Sequence, residues 1–154
     1  MTVHVRRVYE VQSFEADGDV WRTCAILEHT TADGTVHFDW LLDRGIGPGN
    51  PDERRLRAFR CARAPVELSV GVTAATEPMA DHRHRYLEIE GPTELSQGRG
   101  TVRLVLRGQW RTHRAHSVAG SERIEICCTD SGDVLTMDLT ERTVQCVARE
   151  GCVL

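Results

Sequence analysis

Val36-His37-Phe38-Asp39-Trp40-Leu41-Leu42 is the stretch on which the fold turns. Apolar Val36, Phe38, Trp40 and Leu42 alternate with His37, Asp39 and Leu41. That period of two marks a half-buried strand, whose successive side chains point to opposite faces. His37 and Asp39 are therefore expected as neighbours on one face, with the four apolar residues packed on the other. An imidazole nitrogen and a carboxylate oxygen held side by side on rigid backbone are the start of a metal site.

The same period recurs along the chain. Val3–Gln12, Val20–Glu28, Arg55–Cys61, Val66–Val72, Tyr86–Glu90, Thr101–Leu106, Arg123–Cys128, Val134–Leu139 and Thr143–Ala148 all read as strands. Turn chemistry separates them at Ala16-Asp17-Gly18-Asp19, Ala32-Asp33-Gly34, Ser96-Gln97-Gly98-Arg99-Gly100 and Asp130-Ser131-Gly132-Asp133. Gly45-Ile46-Gly47-Pro48-Gly49-Asn50-Pro51 is the clearest loop. In the C-terminal third, Leu135, Met137 and Leu139 share one strand face, and Val144, Cys146 and Ala148 share the next. Strands with one apolar face need a partner layer, which closure into a barrel supplies. No stretch keeps a helical period. The expectation is all-β: one compact, mostly antiparallel β-barrel domain over residues 1–154, with short loops and little helix.

Composition excludes several classes. At 154 residues with 40% hydrophobic and 27% charged content, the chain can bury a core and is not of disordered type. No apolar run reaches the roughly 20 residues of a membrane helix, and Met1-Thr2-Val3-His4 does not begin a secretory signal, so the expected location is cytoplasmic, with no membrane partner. A net charge of −4 speaks against a wholly basic surface but leaves room for a local patch that binds nucleic acid. All nineteen basic residues are arginine, which suits phosphate forks and is also what a GC-rich genome yields. The six cysteines contain no CxxC pair, so they read as reduced, with Cys24, Cys127 and Cys146 expected in the core. Cys127 and Cys128, being adjacent, face opposite ways and chelate one metal poorly.

His29 follows one expected strand and His37 opens the next, with Ala32-Asp33-Gly34 as the turn between them. A hairpin brings His29 to the His37 and Asp39 face. Donors converging from separate segments are what ligation needs. His4, His84, His113 and His116 are read as surface or core histidines. On residue types alone, a two-histidine-one-carboxylate iron oxygenase remains an alternative.

Glu28-His29 with His37-Phe38-Asp39-Trp40-Leu41-Leu42-Asp43, and then Asp81-His82, Tyr86 and Glu90-Gly91, resemble the 3′-phosphoesterase domain of bacterial DNA ligase D and its free-standing relatives. Gly98-Arg99-Gly100-Thr101-Val102 is similar to the turn and valine-rich strand that come next in that family. The likeness runs from about Cys24 to the C-terminus. It implies a β-barrel whose cleft binds a divalent metal, usually manganese, with zinc or cobalt as substitutes. It also implies removal of phosphate, or a terminal ribonucleoside, from DNA 3′ ends, beside DNA ligase or other end-joining proteins. Carried over by position, His29, His37 and Asp39 would hold metal, His82 would be a catalytic histidine, and Tyr86 would touch the scissile phosphate. Arg63 would stand for the family's phosphate-binding lysine. The chain departs from the pattern at Leu41 and near Ala74, where the family has arginines, and the His29-to-His37 spacing is about two residues longer. Arg83, Arg85 or Arg99 could compensate. Losing arginine clamps implies a slow enzyme, a different ester, or a barrel that binds nucleic-acid ends or metal without turnover.

Overall fold

The computed structural model describes residues 20–113 and 119–151. The strand expected at Val3–Gln12, together with His4, His116 and Cys152, lies outside them. Nine strands form one antiparallel sheet: β1 (Arg22–Thr30), β2 (Val36–Asp43), β3 (Leu56–Cys61), β4 (Thr73–His82), β5 (Thr93–Glu94), β6 (Thr101–Thr112), β7 (Glu122–Cys128), β8 (Val134–Leu139) and β9 (Thr143–Glu150). Their order is β1-β2-β3-β4-β9-β8-β7-β6-β5, and β6 also pairs with β1. Eight strands thus close in a barrel-like ring, with β5 attached outside it along β6. The helical residues described are three 3-10 turns, Pro65–Glu67, His84–Glu88 and Ser96–Gly98. The all-β expectation holds.

Two apolar layers result. The ring interior is filled from all sides by residues such as Ile26, Trp40, Phe59, Ile126, Met137 and Val144. Trp40 and Phe59 meet with ring centroids 5.8 Å apart, and burying each such side chain stabilises by about 1.5–3 kcal/mol. A second, smaller core lies on the outer face of β1, β2, β3 and β6, where Ala25, Leu27, Leu41, Ala58 and Val102 are covered by Leu87. β2 is consequently buried on both faces. Val36 alone escapes: expected inside, it is exposed at the strand's start.

Two expected strands are not strands. Val66–Val72 is a 3-10 turn led by Pro65 and then a bend through Gly71, and the strand starts only at Thr73. β4 joins β9 over Thr73–Ala75 alone and beyond that pairs only with β3. It is an edge there, where a sheet tolerates a proline such as Pro78. Tyr86–Glu90 overlaps the 3-10 turn His84–Glu88, whose Tyr86 N–H donates to the Arg83 carbonyl. Tyr86, Leu87 and Ile89 all pack on the second core, and three inward residues so close together do not fit an alternating strand.

Asp43, at the end of β2, is almost fully buried. It accepts from Arg55 Nε (2.7 Å) and Nη2 (2.9 Å) and from the Gly45 N–H (2.9 Å). His84 Nε2 lies 3.4 Å from the same carboxylate, and Arg55 Nη2 also donates to the Gly47 carbonyl. The loop glycines follow from this: a Cβ at Gly45 would stand 2.5 Å from Arg55 Nε. The knot ties the loop after β2 to the segment after β4, helped by the His84 N–H donating to the Glu53 carbonyl. Removing Arg55 strands a buried carboxylate. Arg55→Ala is expected to lower unfolding free energy by about 3 kcal/mol in urea titration, and a change below about 0.5 kcal/mol would show that the knot is not structural.

The β1–β2 hairpin closes on Asp33, whose carboxylate accepts from the Thr31 hydroxyl, the Thr35 N–H and the Thr35 hydroxyl. These bonds, the Thr31 hydroxyl first, pull its carboxyl from 3.8 down to about 2. A depressed carboxyl contributes stability above its unfolded pKa, and that contribution is lost only as pH falls through the folded value. The turn should therefore persist through pH 3, with Asp33 titrating near pH 2 by NMR; a midpoint near 4 would show the bonds are not formed in solution.

Candidate metal centre

The hairpin register sets the site. His29 pairs with His37, and Leu27 with Asp39. Cross-strand partners share a face, so His29, His37 and Asp39 emerge together on the outer side of the ring, beyond the second core. One candidate ligand atom from each of the three lies within 4.8 Å of the others. His37 Nε2 is 3.1 Å from Asp39 Oδ1, and His29 Nδ1 is 3.5 Å from Asp39 Oδ2. Donors about 2.1 Å from one ion stand roughly 3.0 Å apart in an octahedron and about 3.4 Å apart in a tetrahedron. The two measured contacts, made to different oxygens of Asp39, lie close to those spacings.

One nitrogen of each imidazole is turned to Asp39. His29 Nε2 is 2.7 Å from the Arg99 carbonyl. A carbonyl can only accept, so Nε2 carries a proton, and Nδ1 is the atom turned to Asp39. His37 Nε2 is buried and has no hydrogen-bond partner. It lies 3.1 Å from the Asp39 carboxylate. Burial lowers the His37 pKa, with Arg60 and His29 adding to the effect and Asp39 opposing it, which favours the neutral imidazole that ligation requires. Two imidazole nitrogens thus lie against one buried carboxylate. Such a carboxylate is costly unless a cation compensates it. The three side chains fit a divalent transition metal, and three protein donors leave positions open, as catalytic sites do.

The 96–100 turn supplies the outer contact on His29. Gly100 has φ +98, and a Cβ there would fall 2.0 Å from the Thr30 carbonyl oxygen. Only glycine lets this turn press against the end of β1 and present the Arg99 carbonyl to His29. The Arg99 side chain is anchored on Ser96 through its carbonyl (3.1 Å) and hydroxyl (3.3 Å).

The cluster opens into a cleft of about 740 Å³ that is also lined by Arg60, Met79, His82, Tyr86 and Arg99. His82 and Tyr86, singled out in sequence, therefore share the cleft with the three donors, although His82 is not one of the converging ligand atoms. His82 Nδ1 donates to the Ala80 carbonyl at 2.9 Å, which leaves Nε2 unused. Its ring meets Tyr86 edge-on, with centroids 5.3 Å apart. Arg63 is exposed beyond the end of β3 and does not line the cleft. Arg83 lines an adjoining recess instead. Arg85 is ion-paired with Asp52 and lines neither. Leu41 shares the face of Asp39 but lies fully buried in the second core, and Ala74 points into the ring interior.

Sequence reasoning missed Arg60. It stands directly across from Asp39 on β3 and lines the cleft. The signal for it was the β2–β3 register, which requires knowing how the loop between those strands folds. Among the described residues, five cysteines are free and none joins a metal-binding group. Burial raises the thiol pKa of Cys24, and that of Cys61 to about 11, so both stay protonated and inert at neutral pH. No helix among the described residues is long and apolar enough to cross a membrane. No protein-family model matches the chain, and no curated protein matches it.

Calorimetric titration should show one manganese or zinc ion per chain, lost in His37→Ala and Asp39→Ala. Gly100→Ala, which displaces a contact behind a ligand, should weaken the metal by about 10- to 100-fold while the chain stays folded. Undiminished affinity in all three variants would place any bound metal elsewhere.

Proposed function

We propose that this protein is a metal-dependent phosphoesterase acting on 3′-phosphate, or 3′-ribonucleotide, ends of DNA, as the resemblance to the ligase D 3′-phosphoesterase domain implies. The observation that carries the reading is one cleft holding His29, His37 and Asp39 together with His82 and Tyr86. The first three are a ligand set, and the other two bring a histidine and a phenol to the same space. Manganese, when bound, would neutralise charge developing on the phosphoryl oxygens and orient water.

The chain's own residues have separable tasks. Asp39 and the two imidazoles hold the ion. His82, with its Nδ1 proton fixed on Ala80, presents Nε2 to the cleft, where it can take or return a proton. Tyr86 offers a hydroxyl donor to a phosphate oxygen. Arg60 and Arg99 bring guanidinium groups to the same cleft, and such groups clamp phosphate by paired hydrogen bonds. Arg60 is thus suited to the part assigned in the family to the arginine that Leu41 replaces.

A binding-only barrel is the second reading, favoured by the burial of Leu41 and Ala74 at those two arginine positions. The assay that separates them is release of inorganic phosphate from a 3′-phosphorylated DNA oligonucleotide with added manganese. Asp39→Ala should abolish release, His82→Ala should lower the rate by about 10²- to 10⁴-fold, and Arg60→Ala should lower it by about tenfold or more. Tight binding of the oligonucleotide with no phosphate released would establish the second reading. Absence of both metal binding and release would reject the first.

A further inference from the structure

Beside the cleft lies a recess of about 360 Å³ lined by Arg54, Arg83 and Arg99 together with His82 and Tyr86. Arg99, His82 and Tyr86 also line the metal cleft, so the two spaces are continuous. No acidic residue lines the recess. Elsewhere in the described chain most arginines are ion-paired: Arg44 with Asp81, Arg55 with Asp43, Arg57 with Glu122, Arg123 with Asp138. The three recess arginines depart from that habit. The Arg54 side chain donates to the Asp81 backbone carbonyl at 3.1 Å, the Arg99 side chain bonds only Ser96, and the Arg83 side chain forms no ion pair or hydrogen bond with a described residue. Asp81, the carboxylate nearest to Arg83 in sequence, is turned to Arg44. A protein of net charge −4 has acidic groups to spare. Gathering three uncompensated guanidinium groups around one hollow is self-repulsive until an anion enters.

We infer that this recess is a second phosphate subsite, which takes a phosphate or phosphodiester group of the ligand whose terminal phosphate meets the metal cluster. The inference rests on the phosphoester reading of the neighbouring cleft. It selects ligands with at least two phosphates one nucleoside apart over simple phosphate monoesters. Either an internucleotide phosphodiester or the second phosphate of a small nucleoside bisphosphate supplies that chemistry.

The test is calorimetric binding to the full chain of three probes: thymidine 3′-phosphate, thymidine 3′,5′-bisphosphate and a 3′-phosphorylated DNA octamer. It is run without metal and again with manganese. The bisphosphate, the octamer or both should bind about tenfold or more tightly than the monophosphate. Gain by the octamer alone marks a polynucleotide strand as the source, and equal gain by both marks the nearest phosphate. In the Arg54→Ala/Arg83→Ala double variant that advantage should vanish, and the salt dependence of octamer binding should become shallower. Both side chains are exposed, so the fold is expected to survive, which circular dichroism checks. Equal affinity for all three probes, or an advantage that survives the double variant, overturns the subsite. If the advantage is lost in the variant while no phosphate is ever released, the subsite stands and the hydrolase reading falls.

Discussion

The part of the cleft that the segment after β4 supplies depends on the buried pair of Asp43 and Arg55. That pair, with His84 against it, fastens the loop after β2 to the segment leaving β4. On that fastened segment stand His82, Arg83 and Tyr86, and Arg54 lies one residue from the clamp. Leu87 follows and seals the second core over Leu41 and Ala58. Buried ion pairs are weak evidence of net stability, because desolvation offsets much of the attraction. Here the value is positional: two long-range segments meet at one carboxylate. Without it, the histidine and phenol half of the site would hang on an unanchored turn.

Asp39 and Asp43 make an instructive pair. They sit four residues apart on one face of one strand and are similarly buried. Asp43 accepts two guanidinium bonds and a backbone N–H. Among the described residues no guanidinium or backbone N–H donates to Asp39, and what faces it is two imidazole nitrogens and the register position of Arg60. Packing and backbone supply the first carboxylate with donors and leave the second without. A buried charge must be compensated; Asp43 is compensated within the architecture, and Asp39 is the carboxylate that a bound cation could compensate.

The hairpin was legible because its signals are local. Alternation placed His37 and Asp39 on one face, and Ala32-Asp33-Gly34 carries its own turn chemistry, so a hairpin bringing His29 to that face followed; the pairing of His29 with His37 itself came with the structure. The closed ring was legible for the same reason, summed over many strands. What failed was non-local. Val66–Val72 has strand-like residues, but Pro65 and Gly71 bracket it, and the pairing partners of β4 are what decide where that strand begins. Tyr86–Glu90 looked extended because Tyr, Leu and Ile favour strands, yet all its apolar groups turn toward one surface that exists only once β1, β2 and β3 are assembled. Arg60 was invisible because facing Asp39 is a property of the β2–β3 register, set by the long glycine loop.

The same register bears on Leu41. On a strand buried on both faces, the position two residues beyond Asp39 lies under Leu87, in an apolar layer where a guanidinium would need its own partner. Arg60 reaches the cleft from the neighbouring strand, at the level of Asp39 rather than below it. Its ion pair with Glu77 is long, 3.4 Å, with both side chains about half exposed. Pairs of that kind are worth under about 1 kcal/mol, less than a charge-assisted bond to phosphate, at about 1.5–3 kcal/mol. A phosphate arriving at the metal cluster would therefore draw Arg60 off Glu77. Leucine at position 41 thus leaves the cleft with the guanidinium that Arg60 brings to it.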